Sequence, residues 1–241
     1  MLLINDPYNE ELLIMTAQGF AGYAQLFLEM DLLEAQGLED DDRISLLKKR
    51  AVSAYKKALV YSLRALKECD QNLGDLFLGG NEKKFNEAIE GSECVSPLFW
   101  SALSALGQIN LDSTNLELMS DLPKMKKSME HVLEKEPSFY FGSPYMFFGM
   151  YYCKLPKMVG GDPEKGLKSF KEANKIMNNE SLYAKVLIAE HYWGFRDLDQ
   201  SLKLWDEVLE ANIKSEKVPA LINAVAKKRA FLLKKYSEIL F

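Results

Sequence analysis

Apolar residues along this chain recur at intervals of three and four, and no stretch of several residues alternates strictly between apolar and polar. That period belongs to the α-helix and argues against a sheet, whose side chains repeat every second residue. The spacing predicts helices over Glu10–Gln36, Asp42–Cys69, Glu82–Glu90, Pro97–Ile109, Leu122–Glu136 and Pro144–Lys154. It continues with Pro163–Met177, Leu182–Gly194, Leu198–Ala211 and Val218–Ile239. A less regular part around Gly74, Gly79 and Gly80 separates the second helix from the third. No Gly/Ser/Pro-rich linker divides the series, so residues 1–241 read as a single all-α domain.

The helices fall into pairs that share a pattern. In Leu182–Ala211, Ala189 and Tyr192 on the first helix are answered by Ser201, Trp205 and Val208 on the second. In Pro144–Met177, Gly149 and Tyr152 are followed by Gly166, Phe170 and Ala173. Pro97–Glu136 offers Trp100, Leu103 and Ser104, then Met125, Met129 and Val132. The first pair offers Gly19, Gly22 and Tyr23, then Ala51, Tyr55 and Ala58. Small side chains let two antiparallel helices approach closely, and an aromatic fills the groove beside them. One pair cannot bury its apolar face alone, so neighbouring pairs stack. The pattern resembles tetratricopeptide (TPR) repeats with variable loops. The expected fold is therefore TPR-like stacked helical hairpins, an α-solenoid with degenerate repeats.

Gly160-Gly161-Asp162-Pro163 punctuates this series. A glycine supplies a left-handed cap to the aromatic helix before it, Asp162 accepts N–H bonds as N-cap, and Pro163 is pre-set for the first helical position. The glycines do not form a phosphate loop, because the G-x-x-x-x-G-K-[ST] pattern and a preceding strand are both missing.

Several function classes are disfavoured. A net charge of -5 without a long basic block argues against nucleic-acid binding. The longest uncharged runs, Val95–Leu111 and Pro137–Cys153, are interrupted by polar residues or by Gly142 and Pro144, so they read as buried helices rather than membrane spans. Met1–Asp6 lacks a basic n-region and a long apolar core, so no signal peptide is expected there. Cys69, Cys94 and Cys153 form no C-x-x-C motif; they read as buried thiols, with a Cys69–Cys94 disulfide as the alternative in an oxidising compartment. His131 reads as a solvated helix residue and His191 as a structural group near a helix end. Two histidines without a third ligand make a poor metal site. No nucleophile constellation is recognisable. No catalytic residue, metal or cofactor is expected, and the chain does not read as an enzyme.

Four stretches carry a wider resemblance. They are Arg50-Ala51-x-x-Ala54-Tyr55-x-x-Ala58-x-x-Tyr61-Ser62-Leu63-x-Ala65-Leu66, Val95-x-x-Leu98-Phe99-Trp100, Leu155-Pro156-Lys157-x-x-Gly160-Gly161-Asp162-x-Glu164-Lys165-x-x-x-x-Phe170 and Asn223-x-x-Ala226-x-x-Arg229-Ala230-x-Leu232-Leu233. In order and coverage the chain resembles the T component of tripartite ATP-independent periplasmic (TRAP) transporters. The resemblance implies a non-enzymatic, periplasmic, typically lipid-anchored protein that pairs with the solute-binding (P) component. It also implies a homotrimer, and a channel or cleft through each protomer that passes an apolar small molecule. The chain departs from the family in showing neither a leader nor a lipobox cysteine, so any membrane association is expected only through an anchor absent from this chain.

The aromatic run from Phe139 to Tyr152 is the strongest candidate for binding. Tyr145, Phe148 and Tyr152 share one face by three- and four-residue spacing; Phe147 and Tyr151 share another. A helix buries a stripe only about a hundred degrees wide. One face can pack on the next helix, and the other needs a second apolar environment: a cleft, a subunit interface or further core. Tyr145, Phe147, Phe148, Tyr151, Tyr152 and Trp100 are thus the candidate ligand- or pore-lining residues. A competing reading is a TPR scaffold that holds a peptide in its concave groove. Such grooves usually offer basic and Asn residues, whereas the first helices here offer Tyr, Trp, Phe and Ala.

Overall fold

The computed structural model describes residues 2–112 and 114–240; Met1, Ser113 and Phe241, which begin, interrupt and end the span 1–241, lie outside them. Every regular element among the described residues is helical. In chain order the helices are α1 (Leu2–Asn5), α2 (Glu10–Tyr23), α3 (Glu29–Gly37), α4 (Asp41–Cys69), α5 (Gln71–Leu76) and α6 (Glu82–Ile89). They continue with α7 (Val95–Leu111), α8 (Leu116–Ser120), α9 (Leu122–Lys135), α10 (Phe139–Lys154) and α11 (Pro163–Ile176). The last are α12 (Leu182–Gly194), α13 (Leu198–Glu210), α14 (Ala220–Lys235) and α15 (Ser237–Leu240). A five-residue π turn, Ala24–Leu28, joins α2 to α3. The expected helix Glu10–Gln36 is therefore one run with a widened turn in it.

The starts of these helices are chemically marked. Asn9, Asp70, Asn81, Asp162, Ser181 and Asp197 each accept a hydrogen bond from the backbone N–H three residues on. Each satisfies one of the donors a helix leaves unpaired at its first turn.

The chain forms two compact units, Met1–Glu29 with Ser45–Glu136, and Met30–Ile44 with Pro137–Phe241. In the first unit α7 packs on α2 and α9. Gly107 lets the Tyr55 ring approach so closely that a Cβ there would lie 2.6 Å from it. The Tyr55 hydroxyl donates to Glu29. Cys69 and Cys94 form a disulfide, which corrects the expectation of buried thiols at both positions. The crosslink closes a loop of 25 residues. In the chain-entropy account that contributes about 3–4 kcal/mol by restricting the unfolded chain. Within this loop Leu73, Phe77, Phe85 and Ile89 are fully buried, although only part of it reads as helical in sequence.

In the second unit α10 packs along α11, α11 on α12, α12 on α13 and both α12 and α13 on α14. Ser201 Oγ donates to the Ala189 carbonyl at 2.6 Å, so the small-residue pair expected between α12 and α13 is in contact. Trp205 beside it is fully buried and stacks on Trp193 at 5.2 Å between centroids. Asn223, also fully buried, accepts from the Leu182 N–H and donates to the carbonyls of Glu180 and Ile213. It ties the start of α12 to the loop before α14.

Candidate functional site

The aromatic helix α10 is positioned by close backbone approach. A Cβ at Gly149 would lie 2.1 Å from the Phe170 ring, and one at Gly166 would lie 2.3 Å from Cys153 Sγ. Only glycine admits this contact between α10 and α11. Tyr140, Phe141 and Gly142 have φ of 41°, 62° and 76°, so regular helix starts beyond them, near Pro144. Left-handed backbone costs roughly 1–2 kcal/mol at a non-glycine residue. Such strain concentrates at functional sites.

The segment after α10 differs from the sequence expectation in one respect. Leu155, in extended conformation, ends the aromatic helix, and Gly160, at φ 96°, closes a separate 3-10 turn over Lys157–Val159. The added residues form that turn, so the left-handed glycine caps it and not α10. Gly161 is required by crowding, since a Cβ would lie 1.8 Å from the Leu155 carbonyl oxygen. The Asp162 N–H donates back to the Tyr152 carbonyl at 2.9 Å. The Lys165 amide donates to the Asp162 carboxylate at 3.2 Å and holds its pKa below the usual carboxylate range.

The candidate lining residues occupy distinct places. Phe147, Phe148 and Tyr151 are buried at 3%, 5% and 8% exposure, while Tyr145 and Tyr152 are half-buried. Four of these rings form a contiguous set: Phe147 meets Phe148 edge-on at 5.5 Å and stacks on Tyr151 at 6.3 Å, and Phe148 stacks on Tyr152 at 5.9 Å. The Lys165 ammonium lies 5.9 Å from the centre of the Tyr152 ring. Trp100 belongs to the first unit, where it is buried and meets Phe99 edge-on at 5.0 Å.

A cluster that sequence spacing does not reveal lies beside α10. Cys153 Sγ is 3.5 Å from His191 Nδ1, and the His191 ring stacks on Phe195 at 4.7 Å. Residues 153 and 191 are too far apart in the chain for a local motif to flag them. Burial pushes the Cys153 thiol up to about 11. From its ordinary 9.0, that is about a hundredfold loss of thiolate. Native protein should therefore resist thiol reagents at neutral pH. Unfolded without reductant it should titrate one thiol, and after reduction three. Three reactive thiols before reduction would contradict the Cys69–Cys94 bond.

Burial, with the Lys171 charge second, lowers the His191 pKa. Protonation then favours the unfolded chain. The stability held by neutral His191 is full above the ordinary histidine value of about 6.5 and is lost as pH falls through the lower folded value. The thermal midpoint should drop on mild acidification, and His191→Gln should flatten that limb. An unchanged limb in the variant would assign it to other groups.

His131 is the other correction. It is buried at 8% exposure with Nε2 2.9 Å from the Ser92 carbonyl, not solvated. Its face of α9 packs against the disulfide-closed segment, which sequence does not place. Among the described residues no group of three His, Cys, Asp or Glu could hold a metal ion, and no helix is long and apolar enough to cross a membrane.

These features define an all-helical protein of closely packed helices, with an aromatic helix as its candidate binding element. A family model described as TRAP transporter T-component matches residues 1–241, the whole chain, and the chain belongs to that family. A search of curated proteins found no match. The family is an accessory of TRAP transport and not a known enzyme family, and it points to a periplasmic location.

Proposed function

We propose that the protein docks the periplasmic solute-binding P component of a TRAP transporter and holds or passes a small apolar ligand along α10. The observation that carries the ligand reading is the contiguous ring set of α10, in which half-buried Tyr152 contacts buried Phe148 and Tyr151, with Tyr145 half-buried on the same helix. Aromatic faces suit an apolar molecule oriented by tyrosine hydroxyls. In this reading the helix pairs form a TPR-like stack, and the working assembly is a lipid-anchored homotrimer. The family match over both units supports treating 1–241 as one functional module. The Cys69–Cys94 disulfide supports an oxidising compartment such as the periplasm.

Sedimentation of the chain with its P component should show a complex in the micromolar range of transient partners. Absence of any complex there would sink the docking reading. For the ligand, Tyr145→Ala and Tyr152→Ala should lower retention of an apolar fluorescent probe while the helical spectrum is kept. Unchanged retention in both would remove α10 from the path.

A further inference from the structure

We propose that the exposed face of α4 is a docking site for an anionic phospholipid surface. Between Ser45 and Lys67 the chain carries seven Lys and Arg and no Asp or Glu, although its net charge is -5. The buried side of this part of α4 is Leu47, Ala51, Ala54, Tyr55, Ala58 and Leu59. Arg50, Lys57 and Arg64 recur at seven-residue intervals on the opposite side, with Lys49 and Lys56 in the adjoining row. At 3.6 residues per turn these five cations occupy an arc of about 120°. Leu46 and Val60 fall within the same arc and are 56% and 50% exposed.

Three of these cations are held in place without being neutralised. Arg50 donates to the Tyr23 hydroxyl at 2.7 Å, and Lys57 lies 5.4 Å from the centre of the Phe20 ring. Arg64 donates to the Pro7 carbonyl at 2.6 Å and lies over Tyr61. Among the described residues, Lys49, Arg50, Lys56, Lys57 and Arg64 make no ion pair, whereas Lys67 is paired with Asp75 at 2.6 Å. Tyr23 and Phe27, 43% and 49% exposed and 6.3 Å apart, border the face through Arg50.

Basic side chains beside exposed aliphatic and aromatic groups match the headgroup layer of an anionic bilayer. There the charges stay at the phosphates and the apolar groups reach the acyl boundary. An acidic protein is the other polyanion with this charge. Lysine predominates among the unpaired cations, however, and it is a flexible, strongly hydrated point charge that interface cores avoid. It suits a surface that offers negative charge without fixed geometry.

The test is co-sedimentation of the full chain with vesicles of equimolar phosphatidylglycerol and phosphatidylcholine. Wild type should bind at low salt, release at about 1 M salt, where screening shortens to about 3 Å, and ignore pure phosphatidylcholine. Lys56→Glu/Lys57→Glu should weaken binding at least about tenfold, since each surface cation contributes about fivefold. Lys203→Glu/Lys214→Glu, with the same charge change elsewhere, should leave it within about twofold. Circular dichroism of both variants confirms that the helices persist.

Equal loss in both variants would overturn the site, and failure of wild type to bind would overturn the lipid proposal. If wild type ignores vesicles while Lys56→Glu/Lys57→Glu weakens the complex with the P component, the face is a protein dock and the lipid proposal is wrong. Vesicle binding with no P-component complex would instead remove only the docking function proposed above.

Discussion

Replacing Lys124 with alanine is expected to destabilise the protein by about 3–5 kcal/mol. Lys124 is 2% exposed. Its ammonium donates to the carbonyls of Leu76 and Gly80, each at 3.0 Å, and pairs with Asp121 at 2.6 Å. Asp121, itself 4% exposed, also accepts from the Gly79 N–H at 2.8 Å. All three ammonium protons are used, and the loop between α5 and α6 is folded around them. Alanine would leave a buried carboxylate without its counter-charge and two carbonyls without a donor. Lys124→Met, which keeps the stem volume, should remain strongly destabilised. Adding Asp121→Asn to it should recover part of the loss, because the amide oxygen can still accept from Gly79. Urea unfolding measures all three. A loss below about 1 kcal/mol for Lys124→Ala would place the pair with ordinary surface ion pairs and refute the account.

The second large effect is expected in the other unit. Trp205→Ala should cost about 3–5 kcal/mol, the range for deleting a buried large aromatic. Trp205 fills the groove beside the Ser201–Ala189 contact and is covered on one face by Trp193. The vacated volume is bounded by α12 and α14, whose own contacts restrict collapse. Trp205→Phe should cost less, since it keeps an aromatic in the groove. Guanidinium unfolding followed by far-ultraviolet dichroism gives both values. Equal stability of Trp205→Ala and wild type would remove this residue from the core.

What the sequence discloses depends on how far apart the interacting groups are in the chain. Asp162 and Pro163 start α11 as read, because a cap and its amides lie within one turn. Gly149, Gly166 and Phe170 could be paired in advance, because small residues at helical spacing can only serve close approach. The π turn at Ala24–Leu28 is invisible to a count of threes and fours, which tolerates one extra residue. The short helices α5 and α8 contain too few turns to show a period. Lys124 and His131 look like surface residues of an amphipathic helix. Beyond the Asp121 carboxylate of Lys124, their partners, Leu76, Gly80 and Ser92, are more than thirty-five residues away and contribute only backbone carbonyls. The basic face of α4 disappears into a net charge averaged over 241 residues, and only the helix geometry gathers it on one side. Within the aromatic run, spacing assigns residues to faces, but only packing separates buried Phe147 from half-exposed Tyr145.

The Cys69–Cys94 bond also changes what a broken chain would mean for this protein. Lys83 and Lys84 sit exposed on α6, inside the loop that the bond closes. A trypsin cut after either would leave both fragments covalently joined, with the α4 and α7 ends still tethered. Such a nicked molecule would migrate as one species until a reductant is added, and then as two. A protease could thus cut this stretch without setting either half of the protein free.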